Sequence, residues 1–296
     1  KAMLTILLGV LEEGFIYAIM ALGVYITYKI LDFPDLSVDG TFPLGGAVTA
    51  TLITRGVNPL LTLFISFLAG AVAGLITGII HVKFKVRDLL AGIIVMTALY
   101  SINLRIAGRA NLAIFSKATI FENDILKGLP SGIQPYLILI LSFIILGIMK
   151  ILLDLYLNTK SGYLLRAVGD NETLVTSLAK DKGAIRMVGL SIANGFVALA
   201  GCIYTQKSGF FEISTGTGTM VMGLASVIIG INLFKNVTFI KKTTAVIVGS
   251  VIYKLSVSIA ISLGMAASDL KLITSILFLA ILVISREKKG KVKVNA

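Results

Sequence analysis

The chain has 296 residues, of which 56% are hydrophobic and only 14% are charged, and its formal net charge is +12. Soluble domains carry about a quarter charged residues, so this composition excludes an ordinary soluble protein. The basic residues stand mainly in short segments between long apolar stretches. That placement indicates membrane topology rather than nucleic-acid binding, and we expect no nucleic-acid partner.

Apolar stretches of membrane-spanning length follow one another along the chain. A helix that crosses a bilayer needs about 20 apolar residues. The segments that approach or meet this length are 14–31, 36–54, 59–81, 89–106, 134–157, 184–206, 217–234, 243–264 and 270–285. The sequence therefore predicts an all-α, polytopic integral membrane protein with about eight or nine transmembrane helices. We expect one transmembrane domain over residues 3–285, followed by a basic cytosolic tail at 286–296.

The distribution of lysine and arginine predicts the orientation of the helices. With the C-terminus in the cytosol, the inner segments hold 17 of these residues and the outer segments hold eight. This bias follows the positive-inside rule. We therefore expect a cytosolic C-terminus, a cytosolic loop at 158–183, and contact of the basic runs with membrane lipids.

Residues 32–43, with the sequence DFPDLSVDGTFP, are poorly suited to a regular membrane helix. Three aspartates, a glycine and two prolines fall here, and the apolar stretch that follows is too short to span. Irregular backbone at membrane depth is tolerated beside a cavity, where broken helices form transporter substrate sites. The alternative is a cytosolic turn with Asx capping. We expect a broken second helix with irregular backbone over 33–42, and its substrate-pathway candidates are Asp35, Ser37, Asp39, Gly40 and Thr41.

Lys254 is a further pathway candidate, because it lies near the middle of the span 243–264. A charge at that depth is costly and commonly functional. Two roles stay open from the residues alone. Lys254 pairs either with a substrate carboxylate or, structurally, with one of Asp35, Asp39 and Glu12. Near an inner helix end, Lys150 and Asp154 stand four residues apart and are expected to pair with each other.

The loop 158–183 is long and charged. Asp170 or Asn171 can cap a short helix over 172–179, whose apolar face must be buried against a partner. That partner is either the membrane surface or a cytosolic protein, and the residues alone do not decide between them.

Signatures of catalysis are missing from the sequence. It has one cysteine, one histidine and no GxSxG, HExxH or P-loop pattern. We therefore expect no catalytic residues, no metal site and no cofactor bound by this chain. Active transport would then draw its energy from an ion gradient or from another subunit.

Two of these segments resemble a known family. Asp35-Leu36-Ser37-Val38 resembles the DLSVG signature of monosaccharide ABC importer permeases. The string from Arg166 to Glu172 resembles the AVGGNE coupling segment of those permeases and of the branched-chain amino-acid permeases. The longer strings ALGVYITYKILDFPDLSVDGTF and GTGTMVMGLASVIIG are most similar to a permease subgroup assigned to tryptophan or other aromatic amino acids.

The resemblance implies a permease subunit that works in a dimer, here expected to be a homodimer, in a bacterial plasma membrane. It also implies a cytosolic ABC ATPase dimer that binds ATP and Mg²⁺, and an extracellular substrate-binding protein or lipoprotein. The coupling helix would lie at about 169–180, and the coupling residues that match the motif are Arg166, Gly169, Asp170, Asn171 and Glu172. Asp39 stands where the family's glycine usually follows DLSV, which weakens any transfer of sugar-binding roles.

We therefore expect an ATP-driven importer of a small polar solute, an aromatic or branched-chain amino acid. The alternatives are a sugar or nucleoside permease and, from another class, an ion-coupled secondary transporter.

Overall fold

The computed structural model describes residues 2–123, 132–170, 181–237 and 239–262, with isolated positions within 126–130 and 269–283. The described chain is a helical bundle with one small strand pair. Its α-helices are α1 Ala2–Tyr25, α2 Val38–Thr54, α3 Pro59–Val82, α4 Asp88–Ala107, α5 Leu137–Leu157, α6 Lys160–Asp170, α7 Lys182–Ser208, α8 Thr219–Leu233 and α9 Lys242–Ser262. The two strands are β1 Asn111–Ala113 and β2 Phe210–Glu212.

Seven helical segments of the described chain are long and apolar enough to cross a membrane. They are Ile6–Ile30, Pro59–Val82, Asp88–Ala107, Gln134–Leu157, Lys182–Ser208, Ile213–Leu233 and Lys242–Ser262. These segments coincide with seven of the predicted spans and confirm an all-α, polytopic membrane protein. The predicted span 36–54 corresponds to the 17-residue helix α2. The predicted span 270–285 and the tail 286–296 fall largely or wholly outside the described residues.

Helix α7 lies at the centre of the bundle and packs against α1, α2 and α3. In the most apolar 18-residue stretch of α7, 72% is buried inside the protein. The corresponding value for Gln134–Leu157 is 22%, so that segment lies at the periphery. Gly70, Gly74 and Gly78 line the face of α3 that meets α7. A β-carbon on Gly70 or Gly74 would overlap the backbone carbonyl of Asn194 or Leu190. These glycines therefore serve close helix packing inside the subunit.

The break before α2 is present, but it is shorter than predicted. A π-helical turn at Ile26–Ile30 ends α1, and no regular helix follows until Val38. Asp32 adopts a left-handed conformation with φ of 50°. The predicted irregular stretch 33–42 is therefore wrong in its second half, because Asp39, Gly40 and Pro43 already lie in the first turns of α2. Pro43 is the sixth residue of α2, beyond its first turn, so the helix lacks the hydrogen bond that an N–H at this position would donate to the Asp39 carbonyl.

Strands β1 and β2 pair antiparallel, with Leu112 opposite Phe211. They follow the ends of α4 and α7, so those two helix ends lie at the same surface of the bundle. The topology predicted from the lysine and arginine distribution also places the ends of these two helices on one side of the membrane, the outer side. The strands themselves were not predicted, because each has only three residues.

Candidate solute pathway and coupling region

The break before α2 is held by a buried polar network centred on Asp35. Its Oδ1 atom accepts a hydrogen bond from the backbone N–H of Ser37 at 2.9 Å, and its Oδ2 atom accepts one from Asn194 Nδ2 at 2.8 Å. The Ser37 hydroxyl donates to Asn194 Oδ1 at 3.2 Å. Thr41 donates to the Ser37 carbonyl at 3.0 Å. All four side chains are fully buried, so this network fixes the irregular backbone to α7.

Asp39 has a different role, at the N-terminus of α8. Its carboxylate accepts hydrogen bonds from the N–H of Gly218 at 3.0 Å, the hydroxyl of Thr219 at 3.0 Å and the N–H of Met220 at 2.7 Å. A carboxylate is stabilised at a helix N-terminus because free N–H groups point at it and the helix dipole favours negative charge. Asp39 thus caps α8 from a neighbouring element, α2, and ties the starts of the two helices together.

Lys254 pairs with Glu13, so none of the three carboxylates named from the sequence is its partner. The Lys254 Nζ atom lies 3.1 Å from Glu13 Oε2. The same ammonium stands 3.8 Å from the centroid of the Tyr17 ring, in cation–π contact. Lys207, at the end of α7, lies 3.5 Å from Glu12 and 3.7 Å from Glu13. Two acidic and two basic side chains therefore form a charge-balanced cluster where α1, α7 and α9 meet.

This cluster opens into a cavity of about 470 Å³, here called the tyrosine cavity. Its walls come from α1, α7, α8, α9 and the segment before α8. Among the residues that line it are Glu13, Tyr17, Tyr204, Thr217, Val221, Met222, Tyr253 and Lys254. The Tyr17 ring stacks on Phe42 with a centroid distance of 5.7 Å and meets the edge of Tyr204 at 5.8 Å. The cavity thus combines an ion pair, of which only the lysine is largely buried, with aromatic and apolar walls.

A second cavity, of about 450 Å³, lies between α2, α4 and the segment before α8 and is called here the α2–α4 cavity. It is lined in part by Asp39, Gly40, Thr97, Tyr100 and Asn103. Asn103 donates from Nδ2 to the Gly40 carbonyl at 3.0 Å. Ser214 and Thr217 line both this cavity and the tyrosine cavity. The segment before α8 is therefore a thin wall between the two cavities, and Asp39 anchors it.

The described part of the predicted coupling region forms α6. Arg166 and Asp170 are exposed, whereas Leu165 and Val168 are buried. Gly169 packs so closely on the π-helical turn that a β-carbon would overlap the carbonyl of Ile30. Asn171 and Glu172, and the predicted helix over 172–179, lie outside the described residues. Helix α6 is thus in direct contact with the turn that leads into the broken segment.

A cavity of about 450 Å³ beside α6 brings further charges together. Arg166 and Asp170 line it with Lys29 and Asp154. The predicted Lys150–Asp154 pair is confirmed at 2.9 Å. Asp154 also accepts hydrogen bonds from Lys241 at 3.2 Å and from Thr243 at 2.7 Å, which ties α5 to the start of α9.

Glu13, Tyr17 and Asn194 are among the site residues that were missed from the sequence. Glu13 carried a visible signal, because an acidic residue inside an apolar stretch is unusual. Its neighbour Glu12 was considered instead. Tyr17 and Asn194 carried no comparable signal, since single tyrosine and asparagine residues are common in spans.

Comparison with known proteins agrees with this architecture. Residues 6–285 match the family described as branched-chain amino acid transport system, permease component. The chain is 48% identical over 290 residues to a tyrosine transport system permease protein of Clostridioides difficile, covering 98% of this chain and 95% of that protein. It is 26% identical over 226 residues to a ribose import permease protein of Escherichia coli, covering 76% of this chain and 68% of that protein.

A more distant relative is an autoinducer 2 import system permease protein of Salmonella choleraesuis. It is 23% identical over 202 residues, which are 66% of this chain and 54% of that protein. No solved structure matches the chain significantly. The family match covers almost the whole chain, and its relatives are components of transport systems. The chain therefore belongs to the family of branched-chain amino acid transport system permease components.

Proposed function

We propose that this chain is the membrane-spanning permease subunit of an ATP-driven importer that carries an aromatic amino acid into a bacterial cell. In this proposal it works as a homodimer in the plasma membrane with its C-terminus in the cytosol. An ATPase dimer on the cytosolic side binds ATP and Mg²⁺, and a binding protein on the outer side delivers the solute.

The observation that carries the proposal is the pair of charges in the tyrosine cavity. Charged side chains inside a membrane are costly and are retained mainly beside a polar pathway. Glu13 and Lys254 face a cavity whose other walls are aromatic and apolar. Such a site suits a solute with opposite charges at one end and an apolar ring at the other. The 48% identity to a tyrosine transport permease supports the same solute class.

In this proposal the pathway candidates divide into two groups. Asp39, Gly40 and Lys254 lie on the route, because they line the two cavities on either side of the segment before α8. Asp35, Ser37 and Thr41 support it, since their buried network fixes the backbone at the break.

Contacts of α6 suggest how the ATPase drives transport. The ATPase would bind the region of Arg166, Gly169, Asp170, Asn171 and Glu172. Movement of α6 would pass through the contact of Gly169 with Ile30 to the π-helical turn and the break before α2. A small shift there would reorient α2, and with it Asp39 and the segment before α8. The side of the membrane from which the solute can reach the cavities would then change as these packed helices rock against one another, with no unfolding.

Uptake of radiolabelled tyrosine tests the proposal. Cells that express the chain together with its proposed ATPase and binding protein should accumulate label in an ATP-dependent manner. Excess phenylalanine or tryptophan should compete, whereas ribose and nucleosides should not. Competition by ribose or a nucleoside alone would assign the transporter to sugars or nucleosides instead, in line with the ribose relatives.

Copurification tests the energy source. The ATPase should copurify with the wild-type chain and be lost from an Arg166→Ala/Glu172→Ala variant. Uptake by the purified chain alone, driven by an ion gradient, would instead indicate a secondary transporter.

A further inference from the structure

We propose that the tyrosine cavity is a binding site for the head group of an amino acid, in which Glu13 receives the ammonium and Lys254 the carboxylate. The inference rests on the proposed amino-acid import and adds the site and the residues that recognise the solute.

Geometry provides the first argument. Glu13 and Lys254 are 3.1 Å apart, and both line the cavity. The Glu13 side chain is 42% exposed although it lies within a membrane-spanning helix, so its carboxylate is open to the cavity. An α-amino acid carries its ammonium and its carboxylate on the same carbon atom. Its ammonium can therefore contact Glu13 while its carboxylate contacts Lys254.

Charge balance provides the second argument. Glu12, Glu13, Lys207 and Lys254 together carry no net charge. A zwitterion is also neutral, so its entry leaves the balance unchanged, whereas a plain amine or acid would add an uncompensated charge at membrane depth. An uncompensated charge in a low-dielectric site is strongly disfavoured. The cluster thus selects for a solute that brings both charges.

The walls provide the third argument. Tyr17, Tyr204 and Tyr253 border the same cavity, with Val221 and Met222 from α8. The Tyr17 ring is engaged by the Lys254 ammonium and by Phe42, which fixes its orientation. Aromatic rings favour offset or edge contacts with another ring. The remainder of the cavity therefore suits an aromatic side chain attached to the head group.

Ligand fluorescence can test this site directly, because the chain contains no tryptophan. The full chain is purified into lipid nanodiscs with scaffold protein that also lacks tryptophan. L-Tryptophan is then added, so that all indole emission comes from the ligand. The wild-type chain should shift the emission to the blue in a saturable manner. Tryptamine lacks the carboxylate and indole-3-propionate lacks the ammonium, so each should bind at least about tenfold more weakly.

Variants connect that binding to the two charges. Glu13→Gln and Lys254→Met should each weaken L-tryptophan binding by at least about tenfold, and Lys254→Arg should retain most of it. Lys150→Met is the matched control, because Lys150 belongs to another ion pair, and Asp154 keeps Lys241 and Thr243 as partners. It should bind L-tryptophan like the wild type.

The exchange Glu13→Lys/Lys254→Glu separates binding from structure. It keeps an ion pair but reverses its polarity, and it places a lysine at position 13 near Lys207. Thermal stability should therefore recover only in part from that of the single variants, while binding of L-tryptophan stays weak. Recovery of full binding in the exchanged protein would show that the pair is only structural and would overturn the proposal. Equal binding of tryptophan, tryptamine and indole-3-propionate, or no binding to the wild type, would overturn it as well.

The proposed function fails on a different result. If tyrosine uptake is absent from the complete importer, amino-acid import itself is wrong. If uptake is present but unaffected by Glu13→Gln and Lys254→Met, only this assignment of the site is wrong.

Discussion

Gly169 of α6 lies directly against the backbone carbonyl of Ile30, the last residue of the π-helical turn. Because glycine has no β-carbon, the two backbones touch without an intervening side chain. Leu165 and Val168 are buried on the same side of α6. A shift of α6 must therefore move the turn, and the break before α2 begins at the next residue.

Replacing Gly169 with alanine is expected to disturb this contact. The added methyl group would overlap the Ile30 carbonyl, and overpacking of this kind costs about 1–3 kcal/mol. We expect a lower melting temperature of the purified protein and a loss of uptake with the ATPase still bound. Gly147→Ala is the control, since a β-carbon at Gly147 would have no neighbouring atom within 4 Å. Normal uptake by Gly169→Ala would show that the contact does not transmit motion.

Asp39→Ala should weaken the start of α8. Loss of a helix cap costs about 1 kcal/mol, and the partly buried N–H groups of Gly218 and Met220 would lose their acceptor. We expect thermal unfolding to begin at a lower temperature, with a smaller shift for Asp39→Asn, which keeps an acceptor oxygen. A protease-accessibility assay around residues 213–218 should show faster cleavage. An unchanged melting curve for Asp39→Ala would contradict the capping role.

Asn194→Ala should destabilise the break before α2. The substitution leaves Asp35 Oδ2 and the Ser37 hydroxyl without the partners seen at 2.8 and 3.2 Å. Each unsatisfied buried polar group costs about 1–3 kcal/mol. A double-mutant cycle with Asp35→Asn should give a coupling energy of about 1–3 kcal/mol from unfolding measurements. Thr97→Ala is the control, because the Thr97 hydroxyl donates to the Ile93 carbonyl within its own helix. Strict additivity in the cycle would indicate that the two residues act independently.

Strand register can be tested by a disulfide. Asn111 stands opposite Glu212. In a Cys202→Ala background, which removes the one native cysteine, Asn111→Cys/Glu212→Cys should form an intrachain bond on mild oxidation, detected by peptide mass spectrometry. The pair Leu112→Cys/Glu212→Cys should form no such bond, because successive residues of a strand point to opposite faces and residue 112 therefore points away from residue 212. In intact cells a membrane-impermeant reductant should cleave the bond, since this surface is expected to face outward. Resistance to that reagent would reverse the orientation.

Features that depend on local pattern were accessible from the sequence. The long apolar stretches predicted the membrane-spanning helices because the bilayer requires a minimum apolar length. The four-residue spacing of Lys150 and Asp154 predicted their ion pair. The aspartates and prolines at 32–43 predicted a break in the helix. In each case the interacting groups lie within a few turns of one helix or meet the surrounding lipid.

Contacts between distant parts of the chain were decided only by the tertiary structure. Glu13 and Lys254 are 241 residues apart, and Asp39 caps a helix that begins 180 residues later. No periodicity records which faces of two helices meet, so Glu12, Asp35 and Asp39 were equal candidates for Lys254 from the sequence. The packing of the helices decides which carboxylate pairs with Lys254. A buried charge needs an oppositely charged partner close by, and among the acidic residues only the one that the fold places near Lys254 can serve. The sequence by itself determined that charges lie inside the membrane domain, and the packing of α1 against α9 decided that Glu13 and Lys254 face one cavity.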